Sequence, residues 1–202
     1  MNELNSDINN KFIFVFDFDL TLTFKNNRIT NNLPIYGNYI ELFESEKKLN
    51  DMKETFERIK KMGNNIYINT RGLVRDITHI LKNVGITVGV NNLIKDIKGS
   101  NTLEHINKPF GFIELRKYGL EQIKDTDILW AVKKVTYLNN IRDIENVQYN
   151  NILFFDDLDI NINIAKLNGY SNSFLIGNDS GIIGLDYLLI KLNETLELLD
   201  KK

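Results

Sequence analysis

The sequence predicts an α/β fold built on a central parallel sheet. Residues 12–16, 65–69 and 152–155 are short apolar runs rich in β-branched and aromatic residues, the signature of strands buried on both faces. Long segments with apolar residues at helical spacing separate them, so the strands are joined by helical crossovers and run parallel. Each run stops on polar residues that can carry chemistry: Asp17, Thr70 and Asp156. Open α/β sheets hold their ligands beyond the carboxyl ends of the strands, which is where those residues fall.

The first strand, FIFVF at 12–16, ends on Asp17 and Asp19. With Phe18 between them, both carboxylates leave the same side of an extended backbone. Aspartate is also common where strands end, because it caps main-chain N–H groups, so the pair alone admits a purely structural role. Read as chemistry, one acid is a nucleophile and the other an acid/base, and an anionic substrate reaches them only with help from a hard cation held by oxygen ligands. Residues 20–33 include Asn26 and Asn27, which tolerate positive φ, and a small hairpin or flap is expected there.

Ile40, Phe43, Leu49, Met52, Phe56 and Ile59 predict a helix over 39–62, stopped at Gly63. The second strand, 65–69, delivers Thr70, Arg71 and Gly72. Thr70 is also a candidate N-cap for a helix over 73–83. Arg71 is read either as a contact for a second anionic group of a substrate or as an ordinary surface arginine. A strand is predicted at 86–90, followed by an irregular segment at 91–127 with Lys95, Lys98, Lys108, Arg116, Lys117 and Lys124 among scattered aromatics.

Over 128–144 a helix places Trp130, Lys134, Tyr137, Leu138 and Ile141 on one face, with Lys133 projecting to the side. A lysine on an inward apolar stripe needs a partner, and the acidic residues supply one, so Lys134 is preferred to Lys133. The strand at 152–155 ends on Asp156 and Asp157, adjacent acids that are costly to bury without a cation. Asp159 reads as a solvated first-turn residue of a helix to about 168 with Gly169 as its cap. A last strand at 174–176 and an amphipathic helix at 185–199 complete the chain.

At 202 residues and 43% hydrophobic content, the chain is expected to be a polar tail at 1–10 and one domain at 11–202. A net charge of −2 gives no global attraction to nucleic acid or anionic membrane. Without cysteine and with only two histidines, thiolate and histidine-rich metal sites are excluded, as are disulfides and a cysteine nucleophile. No apolar run has the length of a membrane span, and an intracellular, soluble, cytoplasmic protein is expected.

Strand to DxDxT at 17–21, strand to Thr70, lysine on a helix, and strand to Asp156-Asp157 occur in the order found in the haloacid dehalogenase (HAD) superfamily of phosphohydrolases, which this sequence resembles from about residue 11 to about 176. FFDD followed by an Asn-Ile pair, with a lysine about two dozen residues upstream, resembles the small capless magnesium-dependent phosphatases. The resemblance implies a three-layer Rossmann-like fold without a large cap domain. It implies Asp17 as nucleophile through an aspartyl-phosphate and Asp19 as acid/base. Thr70 and Lys134 are then expected on the phosphoryl group, and Mg²⁺ with Asp17, Asp156, Asp157 and Asp19, the last through its main-chain carbonyl. Leu20 departs from the glycine that many relatives carry after the second acid. A phosphorylated small molecule or macromolecule is the expected substrate. A polynucleotide 3′-phosphatase, sharing the DxDxT pattern and often an arginine after the second motif, is an alternative reading, as is a catalytically silent binding module.

Overall fold

The computed structural model describes residues 11–23, 39–100, 126–177 and 184–200. The tail at 1–10, the flap expected at 20–33 beyond Thr23, and residues 101–125 of the irregular segment expected at 91–127 lie outside the described residues, while Asp96–Ser100 of that segment is a strand.

The strands are β1 (Ile13–Phe16), β2 (Asn65–Leu73), β3 (Asp96–Ser100), β4 (Ile152–Asp156) and β5 (Ser173–Leu175). The helices are α1 (Glu46–Lys61), α2 (Val74–Asn83), α3 (Thr126–Glu145), α4 (Asp159–Leu167) and α5 (Leu185–Leu199). The strands form one sheet in the order β3-β2-β1-β4-β5, with parallel pairing throughout. β1 is central and every residue of it is buried. This is the α/β, three-layer, Rossmann-like arrangement expected from the sequence.

Alternation along β1 and β4 builds the two faces. Phe14, Phe16 and Phe155 point to the side covered by α1, α2 and α5, while Ile13, Val15, Ile152 and Phe154 point to the side covered by α3 and α4. On the first side the Phe16 ring stacks on Phe56 of α1 and on Phe155, each at 5.1 Å, and Phe155 stacks on Phe174 at 5.0 Å. Register pairs Phe16 with both Ile68 and Phe155. The next residues, Asn69, Asp17 and Asp156, therefore stand side by side at the carboxyl edge and, by alternation, face α3 and α4.

Three expectations are corrected. The helix expected over 39–62 is broken: a 3-10 turn at Tyr39–Phe43 ends at Glu44, whose φ is 69°, and α1 starts afresh behind Ser45, whose hydroxyl accepts a bond from Lys48 N at 3.2 Å. The apolar spacing runs through this break, and only the Ser45 cap signals it. No strand forms at 86–90. Val88 makes a single bridge to Ile94, and the third strand is β3, less apolar than its neighbours because it lies at the sheet edge. Thr70 does not cap α2, because β2 continues to Leu73 and that residue takes the cap position.

Candidate active site

β1 and β4 end in parallel and in register, so their first polar residues, Asp17 and Asp156, are neighbours. Asp17, Asp156 and Asp157 each offer a carboxylate oxygen within 4.8 Å of the others. From the layer above, Lys134 of α3 reaches down with Nζ 2.6 Å from Asp17 Oδ1 and 2.5 Å from Asp156 Oδ2. The Lys134 side chain is 2% exposed and Asp156 is fully buried. The other Asp156 oxygen accepts from Leu158 N at 3.0 Å and from Asn161 Nδ2 of α4 at 2.7 Å.

This cluster has more acid than base. Burial raises the Asp17 pKa well above the usual carboxylate range; Lys134 pulls it down, but Asp156 and Asp157 push it up again. Asp157 is pushed up to about 6, first by burial and then by Asp156. Burial works against the Lys134 ammonium, yet Asp156 and Asp17 outweigh it and hold its pKa above the ordinary value. Among the described residues one cation, Lys134, meets this group of three acids, which leaves room for a second positive charge. The donors are all carboxylate oxygens, and the buried Thr21 Oγ1 and Asn161 Oδ1 close by in sequence lack hydrogen-bond partners. A small hard divalent cation fits that donor set.

The remaining expected site residues fall as follows. Asp19 lies outside the three-carboxylate group. After Asp17 the chain does not stay extended: Leu22 N and Thr23 N both bond Phe18 O at 3.1 Å, so Asp19 sits in a turn and the same-side argument for the DxD pair does not hold. Leu20 makes that turn at φ 61°. Thr70 is buried in β2, its Oγ1 accepting from Gly72 N at 3.0 Å. Arg71 is paired: its Nη1 donates to Asp127 Oδ1 at 2.6 Å, and its guanidinium lies 5.9 Å from the Trp130 ring centre. Lys133 sits over the same ring at 4.8 Å and 5.8 Å from the Tyr137 ring centre. Asp159 is exposed at the start of α4.

Two residues escaped the sequence reading. Asn161, read only as part of an Asn-Ile pair, holds Asp156. Asn69, read only as a strand end, donates its Nδ2 to the Lys134 main-chain carbonyl at 3.0 Å. The available signal was β2 itself: Asn65, Tyr67 and Asn69 are polar at alternate positions of a buried strand.

The fold and site thus define an α/β chain with a buried, lysine-clamped acidic cluster at the carboxyl edge of its sheet. No protein-family model and no curated protein matches the chain. Among solved structures it is similar to an uncharacterized protein from Corynebacterium glutamicum, at 11% identity over 93% of this chain and 94% of that one, with a TM-score of 0.44. It is also similar to yhjK, a haloacid dehalogenase-like hydrolase protein from Bacillus subtilis, at 13% identity over 91% and 88%, with a TM-score of 0.47. Among the described residues no helix is long and apolar enough to cross a membrane.

Proposed function

We propose that this chain is a Mg²⁺-dependent phosphohydrolase acting on a phosphomonoester. The observation that carries the reading is the convergence of Asp17, Asp156, Asp157 and Lys134 from three separate segments onto one sheet edge. Asp17 attacks phosphorus and forms an aspartyl-phosphate, which divides hydrolysis into two displacements. Asp19, in the turn just beyond, gives a proton to the leaving oxygen and then takes one from the attacking water. Lys134 and Thr70 offset charge on the transferring phosphoryl group. Asp17, Asp156 and Asp157 hold the Mg²⁺, which when bound supplies the positive charge that lets a phosphate approach three acids.

The test is hydrolysis of a generic aryl phosphate by wild type and Asp17→Asn, each with Mg²⁺ and with chelator. The expected result is turnover that needs both Asp17 and metal. Mg²⁺ binding without turnover of aryl phosphate, phosphopeptide, nucleotide or 3′-phosphorylated oligonucleotide would replace the phosphatase by a binding module.

A further inference from the structure

β2 turns three polar side chains toward α3 at alternate positions, and they are not equivalent. Tyr67 OH and Asn65 Nδ2 both bond the Glu145 carboxylate at the end of α3. Asn69 is fully buried, donates to the main-chain carbonyl of Lys134, and leaves its Oδ1 buried without a partner. The Lys134 carbonyl lies inside α3 and has an intrahelical donor four residues on, so the helix does not need the asparagine. A buried amide with an idle oxygen is a net cost to stability. An aliphatic side chain there would join Val15 and Phe154 in the same layer without that cost. A side chain that is a poor choice for stability points to a different constraint.

That constraint is position. Apolar packing of a helix on a sheet tolerates small slides, whereas a hydrogen bond from a fixed strand position to one carbonyl does not. A slip of one residue along α3 moves the lysine by about 1.5 Å. That is enough to break both Nζ contacts, at 2.6 and 2.5 Å. We propose that Asn69 is a positioning residue: by gripping α3 at the lysine's own carbonyl, it sets the Lys134 ammonium between Asp17 and Asp156. Its effect on rate rests on the role of Lys134 in the proposed hydrolysis, while the placement of the ammonium stands independently of that reaction.

The test compares Asn69→Leu and Asn69→Ala with Tyr67→Phe, which loosens the other end of the same helix, and combines Asn69→Leu with Lys134→Met. Asn69→Leu is expected to unfold at or above the wild-type temperature and to lower kcat/KM by about tenfold to a hundredfold. In the Lys134→Met background it is expected to cause no further loss, because the two act as one unit. Tyr67→Phe is expected to lower the unfolding temperature and leave the rate unchanged. A readout free of turnover is the ¹⁵Nζ–H signal of Lys134, identified by its disappearance in Lys134→Met. It is expected to shift in both Asn69 variants and not in Tyr67→Phe. Additive losses in the double variant, or an unshifted lysine signal in both Asn69 variants, would overturn the proposal. If wild type has no Asp17-dependent turnover, the hydrolase reading fails and the lysine signal alone decides the positioning role.

Discussion

α3 buries one cation and one anion, and their surroundings differ. Lys134 meets three clustered carboxylates at the carboxyl edge of the sheet, an environment with surplus negative charge. Glu145 meets Lys11 and Lys95, each at 2.7 Å, together with Tyr67 and Asn65, at the end of the helix beside the start of β2. Its side chain is 2% exposed. Burial alone would raise the Glu145 carboxyl, but bonds from Lys11, Lys95, Tyr67 and Asn65 bring it down to about 2. The Glu145 cluster is saturated with donors and holds the fold. Among the described residues the Lys134 cluster has one cation for three acids, and Asn161 Oδ1 beside Asp156 has no hydrogen-bond partner, an imbalance that the proposed metal would offset.

The largest effect that breaks this contrast is expected from Lys134→Met. It removes the buried ammonium that bonds Asp17 and Asp156, and stability in chelator should fall by about 3–5 kcal/mol in urea unfolding. Turnover should fall at least about a hundredfold. Added Mg²⁺ should restore part of the stability; no recovery would mean the acids do not bind the ion.

The next effect concerns pH, and its sign differs between the clusters. Glu145 is depressed from 4.5 to about 2 in the folded protein. Its stabilisation is therefore fully present above pH 4.5 and is lost as pH falls through about 2. That difference amounts to about 3 kcal/mol. Asp157 is raised from 3.8 to about 6, so its contribution is present below pH 3.8 and is lost as pH rises through about 6. Urea unfolding in chelator should show both slopes. Glu145→Gln should remove the acid-side slope alone and Mg²⁺ the other. A single slope insensitive to both changes would dissolve the distinction.

Tyr67→Phe sharpens the comparison at smaller scale, with an expected loss of about 1.5–3 kcal/mol for one bond to a charged group. Smallest is Leu20→Gly. Leu20 sits at φ 61°, where a Cβ is unfavourable. Glycine should stabilise the turn by up to about 1 kcal/mol in thermal unfolding. A loss instead would show that the 37% exposed Leu20 side chain makes contacts worth more than the strain.

The central strands were legible because each is a short apolar run that ends on a polar residue; β1 and β4 follow those runs closely, whereas β2 continues past its run to Leu73. The lysine was legible from its place on an apolar stripe. β3 was not, because an edge strand reading DIKGS carries no buried pattern. The break before α1 was hidden because apolar spacing continues across it while the geometry turns on one left-handed residue, Glu44. Asn69 and Asn161 escaped for another reason. Their importance lies in which atom of another segment they reach, and that depends on register between elements far apart in the chain.

The central place of β1 has a cost during synthesis. Its Ile13 pairs with Asn65 on one side and with Ile152 on the other, so the earliest of the described strands is completed only when the fourth is made. At roughly 5–20 residues per second, one edge of IFVF stays unpaired for on the order of ten seconds after it leaves the ribosome. Chains arrested before residue 152 should thus expose an aggregation-prone edge and bind holdase chaperones, and release of that chaperone on extension through β4 would mark the moment the sheet closes.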